Sequence, residues 1–130
     1  MEECPERDFL RHMVYNSNMS NERLNSILRD IYRTAKDIFG EKLEDVILYG
    51  SFARGDEGSE SDIDIMILAN IEQESAKQYR EAINEMAWEI GMKHDILVSV
   101  SVSGNTYFHD WKNDLPFYRN VWNEGRRLSA

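Results

Sequence analysis

Two aspartates, Asp62 and Asp64, stand two residues apart in an apolar run and are the side chains best suited to chemistry. Strands disfavour aspartate, because its short carboxylate competes with the main chain for hydrogen bonds. A period of two places both carboxylates on one face of a strand, while Ile63 and Ile65 occupy the other. We therefore expect a strand over 62–68 that is anchored in a core on one side and presents two acids on the other.

A third carboxylate, Asp95, precedes another apolar run and predicts a strand over 95–102 that begins with an acid. Three carboxylates at one end of neighbouring strands repel one another unless a cation binds between them. Oxygen ligands suit Mg²⁺ or Mn²⁺, and no His/Cys set favours zinc. We predict that Asp62, Asp64 and Asp95 hold two divalent ions that align a nucleophile and a pyrophosphate leaving group across an α-phosphorus.

A glycine and a serine end the preceding apolar run, at Gly50 and Ser51. Glycine permits a sharp turn and a close approach of the main chain to a ligand, and serine can begin a helix whose free N–H groups point at a phosphate. We therefore predict that Gly50 and Ser51 bind the triphosphate of a nucleotide. Arg54, one turn further on, either reaches the same phosphate or forms a salt bridge with Asp56 or Glu57.

The motif Gly50-Ser51, ten residues, then Asp62-x-Asp64 resembles the signature of the DNA-polymerase-β-like nucleotidyltransferase superfamily. The resemblance covers roughly residues 20–128. In that superfamily the two motif carboxylates and a third on a following strand bind two metal ions. The resemblance therefore implies Mg²⁺ as cofactor and a nucleoside triphosphate as substrate.

Further residues point to the small members of this superfamily. The pair Arg54-Gly55 and the serine before the first aspartate, Ser61, are features of its small bacterial members. The closing segment 116–128 is similar to the end of minimal nucleotidyltransferase (MNT) domains. By this resemblance Ser61 either shapes the loop or contacts the nucleotide, and Asp95 helps to activate the attacking hydroxyl.

Many MNT domains are antitoxins paired with helical HEPN-domain proteins, and they transfer AMP to a tyrosine of the HEPN ribonuclease. The resemblance implies the same function here, the transfer of a nucleoside monophosphate, AMP from ATP, to a protein hydroxyl of a HEPN toxin. Two other functions stay open. One is an antitoxin that masks its partner without catalysis, and the other is transfer to a small hydroxylated molecule such as an antibiotic, for which a homodimer would build the acceptor pocket.

Helical and strand patterns alternate along the chain, which predicts an α/β fold with a small mixed β-sheet flanked by helices. Apolar runs and helix-breaking residues set the expected bounds of these elements. They predict a helix from the N-cap Ser20 to Gly40, a strand over 46–49, a helix over 72–90 ended by Gly91, and a short helix from Pro116 to Gly125. We expect a single nucleotidyltransferase domain over 20–130. Residues 1–19, with the apolar Phe9, Leu10, Met13 and Val14, are expected to form an N-terminal arm.

The composition of the chain limits the classes of molecule that it is expected to bind. The chain of 130 residues carries 24 acidic and 15 basic side chains, so that its net charge of -9 makes nucleic acid an unlikely substrate. One cysteine, Cys4, allows no internal disulfide, and neither a secretory signal nor a membrane span is predicted, so we expect a cytoplasmic location. Four aromatic side chains near the end are expected to lie either in the core or on a partner surface: Trp111, Phe117, Tyr118 and Trp122.

Overall fold

The computed structural model describes residues 20–58 and 61–128, so the predicted arm over 1–19 lies outside the described part. Along the chain follow α1 (Asn21–Phe39), β1 (Leu43–Tyr49), α2 (Ser51–Arg54), β2 (Ile63–Ala69), α3 (Arg80–His94), β3 (Val98–Gly104), α4 (Asn105–Trp111), α5 (Pro116–Glu124) and β4 (Arg126–Arg127). Short 3-10 helices over Gly40–Lys42 and Gln73–Tyr79 precede β1 and α3.

Polar residues and glycines set the helix ends as expected. The Ser20 hydroxyl accepts a hydrogen bond of 3.1 Å from the main-chain N–H of Arg23, which caps the first turn of α1. Gly40 ends that helix at a φ of 57°, a region that a side chain rarely adopts. Pro116 begins α5 and Gly125 ends it, so the bounds predicted for both helices are confirmed.

The four strands form one mixed sheet in the order β3-β2-β1-β4. β1 runs antiparallel to both β2 and β4, and β2 runs parallel to β3. The register of the β1–β2 hairpin pairs Tyr49 with Asp64. The predicted small mixed sheet flanked by helices is confirmed, and its hairpin brings the end of β1 to the start of β2.

A core lies on each face of the sheet. On one face α1 and α3 pack over the isoleucines of β2, including Ile63 and Ile65, in the larger cluster of buried side chains. On the other face α4 and α5 cover a smaller cluster. This smaller cluster consists of Ile47, Met66, Leu68, Phe108 and Val121. Because side chains alternate along β2, Asp64 belongs to the face of the smaller cluster.

Several predicted bounds are wrong: α3 begins at Arg80 rather than at 72, because Gln73–Tyr79 form a 3-10 helix, and β1 begins at Leu43 rather than at Val46. The third strand begins at Val98 rather than Asp95, and the helix predicted to end at Gly91 continues to His94. Gly91 does not stop the helix; its missing side chain lets the main-chain oxygen of Ile96 approach, because a Cβ there would lie only 2.7 Å from that oxygen. The helix ends at Asp95, which adopts a left-handed conformation with a φ of 54°.

The C-terminal aromatic residues divide between the two expected roles. Tyr118 and Trp122 are partly buried and pack against the smaller cluster. Trp111 and Phe117 remain 43% and 48% exposed. In the part of the chain that the structure describes, none of the helices combines the length and apolar composition that crossing a bilayer requires.

Candidate active site

The Gly50 turn meets Asp64 across the β1–β2 hairpin. Tyr49, the last residue of β1, pairs with Asp64, so the following residue lies beside the same carboxylate. Gly50 has a φ of 78°, and a Cβ at this position would collide with the Oδ2 atom of Asp64. Two separate constraints therefore require glycine here, and the hairpin register brings the predicted phosphate-binding turn against one of the predicted metal-binding acids.

The charge of Asp62 lies close enough to Asp64 to influence the ionisation of the Asp64 carboxyl. Burial raises the pKa of the Asp64 carboxyl above its usual value, and the charge of Asp62 raises it further. The charge of Arg54 lowers the pKa of Asp64 but does not offset the other two effects. A half-buried carboxylate beside a second acid is destabilised in its charged form, which is the electrostatic condition that a bound cation relieves.

Tyr49 and Phe117 form an aromatic wall beside the carboxylates. Their ring centroids lie 5.6 Å apart in an edge-to-face arrangement, and 48% of the Phe117 surface is exposed. Burial raises the pKa of Tyr49, and so does the charge of Asp64, whereas a hydrogen bond with Ser101 lowers it. Sequence reasoning missed both rings as site residues, although the position of Tyr49 directly before Gly50 was a usable signal.

Arg54 connects the turn to the last helix. Its Nε lies 3.2 Å from an oxygen of Asp56, and its Nη1 lies 3.1 Å from an oxygen of Glu124. The pair with Asp56 is one of the two alternatives expected for this side chain, and the pair with Glu124 ties the end of α2 to the end of α5. Contact of Arg54 with a nucleotide phosphate stays a prediction.

The two predicted serines lie on either side of the site. Ser51 is half-buried as the first residue of α2, and its main-chain oxygen accepts hydrogen bonds of 2.9 Å from Gly55 and 3.1 Å from Asp56. Ser61 shapes the loop before Asp62, because its hydroxyl accepts a hydrogen bond of 2.8 Å from the N–H of Gly58. Nucleotide contact by either hydroxyl stays a prediction.

Asp95 is not grouped with the other two acids in the structure. It closes α3, and its main-chain oxygen accepts a hydrogen bond of 3.3 Å from Arg23. On β3 the residue in register with Asp64 is Ser99. Among residues 20–58 and 61–128 no group of three or more His, Cys, Asp or Glu side chains is arranged to hold a metal ion. The role of Asp95 as a third ligand stays a prediction.

Comparison with known proteins identifies the family. The profile of the nucleotidyltransferase domain family matches residues 28–128. The chain belongs to this family. The matched range contains the whole sheet and all of the site residues described above, so this nucleotidyltransferase carries the motif in its expected structural setting.

Relatives of this nucleotidyltransferase are found in Methanocaldococcus jannaschii under the name "Putative protein adenylyltransferase". One is 38% identical over 73 residues, which cover 56% of this chain and 72% of the relative. Another is 28% identical over 101 residues, which cover 78% of this chain and 93% of the relative.

A solved structure shares this fold. A mutant of the toxin–antitoxin MntA-HpeT matches with a TM-score of 0.51 and 21% identity over 77% of this chain and 69% of that chain. A tri-AMPylated HEPN toxin of Shewanella oneidensis in complex with its MNT antitoxin matches with a TM-score of 0.45 and 18% identity. The latter alignment covers 79% of this chain and 69% of the other.

The donor set of this nucleotidyltransferase fits a hard divalent cation. Asp62 and Asp64 offer carboxylate oxygens, and their mutual repulsion favours a bound positive charge. Two protein carboxylates leave coordination positions for phosphate oxygens, which is the usual way in which Mg²⁺ binds between a protein and a nucleotide. The site is thus chemically suited to a metal–nucleotide complex rather than to a metal fully enclosed by protein ligands.

Proposed function

We propose that this nucleotidyltransferase moves AMP from ATP to a hydroxyl of a protein partner, in a reaction that depends on Mg²⁺. The observation that carries the proposal is the meeting of the Gly50 turn, which is the predicted phosphate-binding segment, with the Asp64 carboxylate across the hairpin. The protein acceptor is supported by the relatives that are named as protein adenylyltransferases.

In the proposed reaction the acceptor oxygen forms a bond to the α-phosphorus, the bond from that phosphorus to the bridging oxygen breaks, and pyrophosphate leaves. Asp62 and Asp64 would hold Mg²⁺, which when bound neutralises phosphate charge and stabilises the leaving pyrophosphate. Gly50 and Ser51 bind the triphosphate, with the Gly50 main chain free to approach it. Asp95 is the predicted acceptor of the hydroxyl proton and third metal ligand.

The wall formed by Tyr49 and Phe117 provides a place for the nucleobase. An exposed aromatic ring beside the phosphate-binding turn can stack on a base of any identity, because every base has a π-face. The 48% exposure of Phe117 leaves that ring accessible. In this proposal the wall orients the nucleoside, while the carboxylates act at the α-phosphate.

We further propose that the acceptor is a tyrosine of a helical HEPN toxin and that its modification silences the toxin. The support is the resemblance of the motifs to MNT domains. The chain's net charge of -9 adds to this choice, since it disfavours a nucleic-acid acceptor.

The test is co-expression with the product of the neighbouring gene, purification of the associated partner, and measurement of its intact mass. We expect the mass to rise by one or more AMP units with the wild type and not with Asp62→Asn/Asp64→Asn. The matched control is Asp37→Asn/Glu41→Gln, which removes two charges from exposed positions at the end of α1 and before β1, whereas the site lies at the other end of β1. An unmodified partner in a stable complex would instead indicate masking, and the absence of any complex would indicate a small-molecule acceptor.

A further inference from the structure

Three large apolar side chains on one side of the molecule are exposed to solvent. Trp88 is 69% exposed, Met92 is 65% exposed and Leu97 is 71% exposed, and all three line a groove of about 560 Å³ between α3 and the start of β3. We call this the α3–β3 groove. Scattered apolar residues are ordinary on a protein surface, but a contiguous group around a concavity is typical of a docking site.

Hydrogen bonding and core packing fix the shape of the α3–β3 groove. The N–H of Ile96 donates a hydrogen bond of 3.0 Å to the main-chain oxygen of Gly91, which fixes the last turns of α3 against the chain that enters β3. Ile83, Met86 and Ile90 hold the buried side of α3 in the larger core. The groove is therefore a preformed concave surface, held in place independently of whatever occupies it.

The start of α1 lies beside this groove. The guanidinium of Arg23 donates hydrogen bonds to the main-chain oxygens of His94 and Asp95, and Asp95 is one of the groove's lining residues. Ser20, at the beginning of the described chain, stands three residues before Arg23, a separation of about 5 Å along a helix. Residues 1–19 are thus joined to the folded domain next to the groove.

The composition of this arm suits the groove. Phe9, Leu10, Met13 and Val14 follow the spacing of one helical face, since residues four apart are neighbours on a helix. Five residues separate Val14 from Ser20, and an extended link of that length reaches about 20 Å. The apolar cluster of the arm is therefore within reach of the α3–β3 groove.

Two arginines of the arm, which as a whole carries four acidic and two basic side chains, match two glutamates of α3 in spacing. Arg7 and Arg11 are four residues apart in the arm, and Glu85 and Glu89 are four residues apart on α3. Both glutamates are exposed and flank Trp88 in the sequence of the helix. If the arm were a helix lying along α3, its two arginines would be one helical turn apart, as the two glutamates of α3 are.

We propose that residues 1–19 bind in the α3–β3 groove of their own chain, with Phe9, Leu10, Met13 and Val14 against Trp88, Met92 and Leu97. The link through α1 makes this binding intramolecular, at an effective concentration of about millimolar for a short tether. At protein concentrations below about a millimolar, this tether favours the chain's own arm over the identical arm of a second copy. This inference concerns the groove at the junction of α3 and β3, which Asp95 also lines, and it does not depend on the proposed reaction.

The test uses Cys4, the single cysteine of the chain, as the attachment point for a nitroxide spin label. The three tryptophans give three indole N–H signals in a spectrum of ¹⁵N-labelled protein, and Trp111 and Trp122 serve as internal controls because they belong to the helices on the opposite face of the sheet. We expect the label to remove the Trp88 signal and to leave the other two. A retained Trp88 signal would overturn the proposal.

A variant separates docking from mere attachment nearby. Phe9→Ser/Leu10→Ser/Met13→Ser keeps the length of the arm and its point of attachment, and it should restore the Trp88 signal. Asn16→Ser/Asn18→Ser is the matched control in the same arm and should leave the signal lost. Loss of the Trp88 signal in both variants would show that proximity alone is measured and would refute docking.

A mixing experiment identifies the chain that supplies the arm. Spin-labelled protein without ¹⁵N is added to ¹⁵N-labelled Cys4→Ser protein, so that only contact between two copies affects the observed signals. We expect no change in the Trp88 signal. Its loss in the mixture would assign the groove to a second copy and overturn the intramolecular proposal.

Discussion

The Cα of Gly50 faces the carboxylate of Asp64 so closely that no side chain fits between them. The two residues lie on different strands, and the antiparallel register of β1 and β2 holds them together. The contact explains why the turn and the acids form one site despite their separation in sequence.

Gly50→Ala should reduce transfer far more than it reduces stability. The positive φ alone costs an alanine about 1–3 kcal/mol. The added methyl group must also displace the Asp64 carboxylate, and a displacement of about 1 Å in a catalytic group costs roughly a hundredfold in rate. Turnover measured beside the free energy of unfolding checks this, with Gly58→Ala as the control because a Cβ there meets no atom within 4 Å. Equal losses in the two variants would refute it.

Asp64→Asn should stabilise the metal-free protein. Because the pKa of Asp64 is raised, its charged form is disfavoured in the folded state, and a neutral amide of the same shape removes that cost. We expect a gain in the free energy of unfolding at neutral pH. The same variant should lose the rise in melting temperature that Mg²⁺ produces in the wild type, which thermal unfolding with and without MgCl₂ measures. A metal-free protein made less stable by this substitution would contradict the electrostatic account.

Arg54→Ala should raise the KM for the nucleotide by about tenfold, the expected loss of a charge-assisted hydrogen bond to phosphate. Glu124→Gln is the control, because it breaks one ion pair of Arg54 and leaves the arginine in place. Steady-state kinetics of both variants separates the two roles. An equal rise in KM for both would show that Arg54 acts by connecting α2 to α5 and not by touching phosphate.

Asp95→Asn tests the predicted third ligand. Asparagine tolerates the left-handed conformation of Asp95, so the end of α3 should be preserved. Removal of a proton acceptor is expected to slow transfer by about a hundredfold or more. Transfer at the wild-type rate, with Asp37→Asn as the matched surface control, would show that Asp62 and Asp64 suffice.

Asp30→Asn should weaken the fold in a pH-dependent way. Burial raises the pKa of Asp30, but hydrogen bonds with His94 and Lys93 outweigh it, so that the pKa lies below its ordinary value of 3.8. The contribution of Asp30 to stability is therefore complete above that value and is lost as the pH falls through the lower folded pKa. Urea unfolding of both proteins should show a difference of about 1–2 kcal/mol at pH 7, from the lost charge-assisted hydrogen bonds, that shrinks as the pH falls below 3.8. A difference that is constant down to pH 2 would contradict this account.

The local sequence was sufficient to predict those features whose conformation is determined by a single residue type. Ser20, Gly40, Pro116 and Gly125 mark helix ends through capping and backbone geometry, which depend on near neighbours. The Asp62-x-Asp64 strand was predictable for the same reason, since its alternation with isoleucine is visible in seven residues.

Tertiary contacts decided what the sequence could not show. Gly91 is consistent with a helix end, yet it lies inside α3 because the Ile96 main chain packs against it. The extension to His94 moved Asp95 out of the expected strand. α4 was not foreseen, because its seven residues Asn105–Trp111 span only about two turns, too few for a helical period to be distinguished from a loop.

The alternation of core and acidic side chains along β2 affects how such domains can evolve. Ile63 and Ile65 hold the strand in the larger core from one face, while Asp64 on the other face contributes nothing that the core requires. In the proposed mechanism, one or two substitutions on the acidic face would therefore abolish chemistry in a lineage without affecting the ability of its chains to fold. Inactive descendants would persist as intact binding proteins, so that catalytic and non-catalytic members of one family can share the same architecture.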